Sequence, residues 1–297
     1  MSLTGETSPD AAAFERPFAF MGPMKIFVNE IGRDIAGVSC VGTVRDRFKP
    51  DADVLIVNGF PADPGQELAE GDRVVLIRRG DTPTAEEFEA LLTARHTPGV
   101  HGRVRQATVG IAGVGGLGSA VAVALARTGV GRLIIADFDL VEPSNLNRQQ
   151  YFIDQLGTPK VYALRDTLSR INPHVHVVAC HLRLEPGNIA EIFGAADVLV
   201  EAFDRADQKA MLTETFTASF PEKPLVAGSG MAGYGPANGV QTRRAFGNLY
   251  LCGDGETTAA PGVGLMAPRV GVAAHHQANA VLRLLLGEDP AATLTQL

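Results

Sequence analysis

Thr108-Val109-Gly110-Ile111-Ala112-Gly113-Val114-Gly115-Gly116-Leu117-Gly118-Ser119 decides the fold of this chain. Thr108 to Ala112 is a short apolar run bounded by glycine, the signature of a buried strand. Gly113 to Gly118 permits a tight turn, and the Ala/Val/Leu-rich stretch from Ser119 to Arg127 reads as the helix that follows. A strand, a glycine turn and a helix in that order form a nucleotide cradle. Glycines let the backbone approach phosphate or sugar, and the helix N-terminus presents partly positive N–H groups. Arg132 to Ala136 reads as the next strand and Asp137 as its end, where a carboxylate accepts ribose hydroxyls. These residues alone leave NAD and ATP equally open.

Outward from this unit the pattern keeps alternating. Strands are expected at Val175 to Ala179, Val198 to Glu201 and Leu225 to Gly228. Helices are expected near Lys160 to Arg170, Ile189 to Phe193, Ala206 to Ser219 and Val270 to Leu286. The fold class is therefore α/β: a Rossmann-like, mainly parallel sheet with helices on both faces, its ligand at the carboxyl ends of the strands.

Ser144-Asn145-Leu146-Asn147-Arg148-Gln149 tilts the choice of nucleotide. Asn145 and Arg148, just past a strand end, suit phosphate oxygens, because a guanidinium fork donates two hydrogen bonds at once. Lys160 follows Gly157-Thr158-Pro159, and proline at a first helical turn places that lysine at a helix start in the site. Asp204 follows the strand Val198 to Glu201, where it suits either Mg²⁺ bridging phosphates or the N-cap of the next helix. Such a set suits breaking a phosphoanhydride and would sit idle in hydride transfer.

Composition narrows the class further. The chain has 297 residues, is 45% hydrophobic and 20% charged, and carries a net charge of −7 without a Lys/Arg block, which argues against nucleic acid as a partner. No apolar run reaches the roughly 18 residues that span a bilayer. Cys40, Cys180 and Cys252 give no disulfide framework and fit a reducing cytoplasm. Residues 1–23 read as a flexible tail, and residues 81–106 as a helical connector with Thr84 as N-cap and Pro98-Gly99 as stop. Residues 24–80 read as a small α+β domain. Its strands are Lys25 to Val28, Val54 to Val57 running into Asn58-Gly59, and Arg73 to Arg78, with a helical piece near Val44 to Phe48.

Two resemblances follow. Met24-Lys25-Ile26-Phe27-Val28-Asn29, Val57-Asn58-Gly59 and Glu70-Gly71-Asp72-Arg73-Val74 resemble the β-grasp of ThiS sulfur carriers. Free carriers end in Gly-Gly, whereas here Arg79-Gly80-Asp81 runs on into more chain, so this domain offers no carboxylate. Residues 107–297 resemble the ThiF/MoeB family of ubiquitin-activating-type adenylyltransferases. The match runs through Gly113 to Gly118, Gly129-Val130-Gly131, Asp137-Phe138-Asp139, Val141 to Gln149, Gly157 to Lys160, Ile171-Asn172-Pro173 and Glu201-Ala202-Phe203-Asp204.

The resemblance implies ATP-dependent activation of the C-terminal glycine carboxylate of a separate β-grasp carrier ending in Gly-Gly, in thiamin biosynthesis, by a homodimer. It assigns catalysis to Arg148, Lys160 and Asp204, with Asp204 holding Mg²⁺. Nucleotide contacts fall to Gly113, Gly115, Gly116, Gly118, Asp137, Asp139, Ser144, Asn145, Leu146, Asn147, Gln149 and Arg205. The departures are specific. The family's paired Cys-x-x-Cys motifs are missing, so no zinc is expected. The family's Asp-Asn and downstream Arg are Asp204-Arg205 and Lys209. Cys252, followed by Gly253-Asp254-Gly255, is the better thiol candidate. The rivals are an NAD-dependent oxidoreductase and a nucleotide-binding scaffold without activity.

Overall fold

The computed structural model describes residues 23–37, 40–97 and 99–292. The tail expected over 1–23 lies outside them up to residue 22, as does Pro98 in the expected helix stop. The chain divides into two compact units, one through Ala94 and one from Arg95 onward.

The first unit holds β1 (Met24–Val28), β2 (Ile31–Ile35), α1 (Val41–Phe48), β3 (Val54–Val57), β4 (Phe60–Pro61), β5 (Arg73–Ile77) and α2 (Ala85–Arg95). Its sheet has the order β2-β1-β5-β3-β4, with β1 and β5 parallel and every other pair antiparallel. Asn58 and Gly59, at φ 52° and 86°, make the two-residue turn between β3 and β4. Ile26, Val41, Val44 and Val74 are completely buried in its core. The edge strand β2, Ile-Gly-Arg-Asp-Ile, was not expected from sequence, because only its last residue is buried and no alternation marks it. Thr84 and Glu87 cap α2 reciprocally: Glu87 N–H donates to Thr84 Oγ1 at 3.2 Å, and Thr84 N–H to Glu87 Oε2 at 3.1 Å. Lys49 on the segment after α1 pairs with Glu87 and straps α2 within this unit.

The second unit contains α3 (Val100–Gln106), β6 (Thr108–Ala112), α4 (Gly116–Thr128), β7 (Arg132–Asp137), α5 (Lys160–Ile171) and β8 (His176–His181). It continues with α6 (Pro186–Phe193), β9 (Val198–Glu201), α7 (Ala206–Ser219), β10 (Leu225–Gly228), β11 (Gln241–Phe246), β12 (Leu249–Gly253) and α8 (Ala267–Leu285). The seven-stranded sheet runs β11-β12-β10-β9-β6-β7-β8, and only β11 is antiparallel to its neighbour. The side-chain period of two sorts its strands onto two faces. Val109, Ile111, Leu133, Ile135, Val198 and Val200 pack with α4, α5 and α8. Ile134, Ala136 and Leu199 pack with Phe193 of α6 and with Leu212 and Phe216 of α7. Among the described residues no helix is long and apolar enough to cross a membrane.

Sequence periodicity located β9, β10 and α7 with their observed bounds, and missed α3, β11 and β12. Helix α3 contains a glycine and buries only His101 and Val104. Strand β11, Gln-Thr-Arg-Arg-Ala-Phe, is an edge strand with five of six residues exposed, so no apolar face announces it.

The turn from β6 into α4 leaves no room for a side chain. Gly113 sits at φ +85°, and a Cβ on Gly118 would lie 1.9 Å from the Gly113 carbonyl oxygen. Gly118→Ala is therefore expected to destabilise the protein by about 3 kcal/mol, the cost of overpacking a site that cannot relax. Gly187→Ala, in α6 with open space around it, should instead be neutral or stabilising by about 0.5 kcal/mol. Thermal unfolding followed by circular dichroism checks both. Equal melting temperatures for the two variants would refute the packing account.

Candidate nucleotide-binding site

The site lies at the carboxyl ends of β6, β7 and β9. Val114 N–H, in the glycine turn, donates to Asp137 Oδ2 at 2.8 Å, and Asp139 N–H donates to Asp137 Oδ1 at 2.9 Å. The cradle and the acidic strand end are thus one hydrogen-bonded piece. Burial raises the Asp137 carboxyl above its ordinary value, opposed by those two N–H groups and by nearby Lys160. A partly desolvated acceptor with spare lone pairs is what a sugar hydroxyl needs. Tyr151, which sequence reading passed over, donates from its hydroxyl to Val114 O at 2.7 Å and braces the turn from behind. Burial holds that phenol well above its usual range. Ser119 works the same way, its hydroxyl donating to Gly115 O at 2.6 Å and accepting Gln150 N–H at 3.1 Å.

Lys160 opens α5, as Pro159 before it suggests, but it is no surface lysine. It is 5% exposed and donates to Asp139 Oδ2 at 2.8 Å. A buried ammonium requires an anionic partner, and Asp139, whose side chain is 47% exposed, supplies it from the rim of the site. An incoming phosphate would meet a cation that is already oriented.

The polar loop after β7 divides its labour. Pro143 to Asn145 forms a single 3₁₀ turn. Asn145 is buried, its Oδ1 accepting Glu142 N–H at 3.0 Å, and the Ser144 hydroxyl turns to Glu142. Leu146 packs against the core. In this structure Ser144, Asn145 and Leu146 build the loop, and Arg148 and Gln149 face the cradle. The aliphatic stem of Arg148 lies 3.6 Å from where a Cβ on Gly116 would be, and the Gln149 side chain lies 3.8 Å from the same point on Gly115. Gln149 Oε1 is buried without a partner. Arg148 is aimed by two acceptors, Ser144 O at 3.2 Å and Asn147 Oδ1 at 2.8 Å. Asn147 in turn donates to Leu265 O, in the loop before α8, at 3.2 Å.

Of the glycines, Gly113 and Gly118 serve the close turn itself, whereas Gly115 and Gly116 lie against the loop side chains. Asp204 follows β9 and is exposed. Its neighbour Ala202 donates to Ala112 O at 2.9 Å, so the bridge from β9 to α7 begins beside the glycine turn. Asp204 does not cap α7: Arg205 holds the N-cap position, without a side-chain cap bond. Arg205 was expected to contact the nucleotide. Its guanidinium pairs with Asp207 at 3.0 and 2.7 Å on the exposed start of the helix. Lys209 was noted in the sequence as a departure and Glu201 as part of a motif; their pairing was not foreseen. Among the described residues no group of three or more His, Cys, Asp or Glu side chains converges to hold a metal. Mg²⁺ ordinarily takes one or two carboxylates plus substrate phosphates, and a lone exposed Asp204 fits that use.

The candidate thiol is corrected. Cys252, in β12, is fully buried against Thr242 Oγ1, and burial pushes its pKa up to about 11. It packs as a small apolar residue. Burial also raises Cys180. Cys40, at the start of α1, is held below its ordinary value by the Thr43 hydroxyl and neighbouring backbone N–H groups.

A strand–glycine turn–helix unit joined to an acidic strand end, an oriented arginine and a buried lysine defines a nucleotide-binding Rossmann-like protein. Comparison with known proteins narrows this. The ThiF family model matches residues 92–297, and the ThiS-like ubiquitin model matches residues 24–80. The chain belongs to the ThiF family, with a ThiS-like domain at its N-terminal side. It is 33% identical over 227 residues to the molybdopterin-synthase adenylyltransferase of Salmonella typhimurium, spanning 74% of this chain and 83% of that protein. It is 35% identical over 133 residues to the SAMP-activating enzyme E1 of Haloferax volcanii, spanning 44% and 48%. The fold is shared with E. coli tRNA N6-threonylcarbamoyladenosine dehydratase, TcdA, solved in complex with AMP: TM-score 0.62, 20% identity, 70% of this chain and 98% of that one.

The cysteine environments make a direct prediction. During iodoacetamide labelling at pH 8, Cys40 should react first and Cys252 should stay protected until the protein unfolds, because the thiolate is the reactive form. Peptide mass spectrometry reads the order. Labelling of Cys252 in the folded protein at the rate of Cys40 would contradict the burial account.

Proposed function

We propose that this chain is an ATP-dependent adenylyltransferase that activates the C-terminal glycine carboxylate of a separate ThiS-like sulfur carrier, in thiamin biosynthesis. The observation that carries this reading is the joined set at the strand ends: Val114–Asp137, Asp139–Lys160, and Arg148 aimed across Gly116. Family membership and the adenylyltransferase relatives support it. ATP as the nucleotide is supported by the phosphate-directed side chains and by the AMP complex of the shared fold. The NAD-dependent alternative would leave Arg148, Lys160 and Asp204 without a role.

In this reading the ribose hydroxyls meet Asp137 and the phosphates lie over Gly115 and Gly116. The carrier carboxylate attacks the α-phosphorus in line, the bond to the β-phosphate oxygen breaks, and pyrophosphate leaves with the electron pair. No general base is needed, since a terminal carboxylate is already ionised at neutral pH. Arg148 and Lys160 stabilise the negative charge that grows on the phosphate oxygens. Asp204 is the residue that would hold Mg²⁺, which when bound neutralises phosphate charge.

The acceptor comes from another molecule. After β5, Arg79 N–H donates to Asp53 Oδ1 at 2.9 Å, Gly80 turns at φ +87°, and Asp81 continues toward α2. The fused domain therefore ends in a folded peptide link with no carboxylate to activate. We assign it to docking or dimerisation of a homodimer working in the reducing cytoplasm, without nucleic acid or membrane as partner.

ATP–pyrophosphate exchange in the presence of a Gly-Gly-terminated carrier tests the chemistry. Arg148→Ala and Asp204→Ala should each lower exchange about 100-fold, as loss of one transition-state contact costs about 3 kcal/mol, while both variants keep the wild-type melting temperature. Wild-type exchange in both would refute their roles. Calorimetric titration separates the nucleotides: ATP with Mg²⁺ should bind and NAD should not. Tight NAD binding without an ATP signal would overturn the reading.

A further inference from the structure

Glu201, the last residue of β9, is completely buried. Lys209, in the first turn of α7, donates to Glu201 Oε1 at 3.1 Å, to Oε2 at 2.9 Å and to Gly228 O, at the end of β10, at 2.9 Å. All three ammonium hydrogens are used. Glu201 Oε1 also accepts Phe203 N–H at 2.7 Å, and the buried Gln277 of α8 donates to the Glu201 carbonyl at 2.9 Å. A pair so saturated has nothing left to offer a substrate. Nor does burial of an ion pair by itself favour the fold, since well-packed apolar residues of the same volume do as well or better.

What the pair fixes is the four-residue bridge Ala202–Arg205 between β9 and α7. Glu201 pins its entry. Lys209, one turn into α7, ties its exit to Glu201 and to the Gly228 carbonyl through its side chain. The middle is held by Ala202 N–H on Ala112 O at 2.9 Å and by Phe203 against Gly113. Asp204 is the acidic side chain on this bridge, and no bond from its own carboxylate aims it. The two ends fix the backbone that carries it.

We propose that Glu201 and Lys209 are positioning residues that hold Asp204 toward the nucleotide phosphates, so that their removal is felt in divalent-cation binding and not in nucleotide binding. The proposal rests on the assignment of Asp204 as the metal-holding carboxylate. It also gives Lys209 a role.

The test is Mn²⁺ binding followed by electron paramagnetic resonance, with a non-hydrolysable ATP analogue bound to the full chain. Wild type, Asp204→Ala, Glu201→Gln, Lys209→Met and Lys209→Arg are compared. Asp204→Ala should weaken Mn²⁺ binding. Glu201→Gln and Lys209→Met should weaken it about tenfold, as loss of an outer-shell partner does, with unchanged metal-free affinity for the analogue. Lys209→Arg should bind Mn²⁺ like wild type. Glu201→Gln keeps the shape of the site and carries the test even if Lys209→Met does not fold. If Asp204→Ala weakens Mn²⁺ binding while Glu201→Gln only lowers the melting temperature, the positioning role is overturned and the metal assignment stands. If Asp204→Ala binds Mn²⁺ like wild type, both fall.

Discussion

The close approach of Gly118 to the Gly113 carbonyl is the constraint from which the rest of the site follows. No side chain fits between β6 and α4 there, so the turn closes tightly and the helix begins directly after the strand end. That geometry frees Val114 N–H to reach Asp137 and places Gly115 and Gly116 under Gln149 and Arg148. The polar part of the molecule is then arranged by backbone it did not create. Asp137, Tyr151 and Ser119 each spend one bond holding the turn, and such bonds inside a low-dielectric pocket cost little reorganisation when charge arrives.

Electrostatics explains why Lys160 and Arg148 are built differently. Lys160 is a buried point charge neutralised by Asp139. Its fixed position comes from packing at the start of α5. Arg148 is held by carbonyl and amide oxygens instead of a carboxylate, so its charge stays available. Asn147 links that guanidinium to the loop before α8 through Leu265 O. The nucleotide side and the neighbouring loop are thereby parts of one hydrogen-bonded assembly.

The parallel core was legible in the sequence because buried strands such as Val198–Glu201 and Leu225–Gly228 are continuous apolar runs between turn residues. Edge strands β2 and β11 were not, since they bury almost nothing. The same rule holds in the site. Gly113 to Gly118, Asp137, Arg148 and Lys160 stand in local motifs and were readable. Tyr151 and the Glu201–Lys209 pair act through contacts between separate elements, and no local spacing announces them. The pairing of Arg205 with Asp207 was not foreseen, because adjacency in sequence to Asp204 says nothing of it. Cys252 was misread because the glycines after it suggest an exposed loop, whereas Cys252 and Gly253 are both buried at the end of β12. A lowered cysteine pKa does occur in this chain, but at Cys40, in the other unit.

The fused β-grasp unit has a carrier's sheet without a carrier's free end: past Gly80 the chain is capped by Thr84 and Glu87 into α2, and Lys49 straps that helix in place. In the proposed reading the enzyme acts on a carboxylate from another chain. Intact-mass spectrometry of the purified protein incubated with ATP, Mg²⁺ and a separate Gly-Gly-terminated ThiS-like carrier measures this directly. The account predicts a carrier heavier by one adenylyl group, an adduct lost when the carrier's terminal glycine is removed, and an unmodified enzyme chain. An adenylyl group on the enzyme chain itself, or a carrier that stays unmodified while ATP is bound, would contradict it.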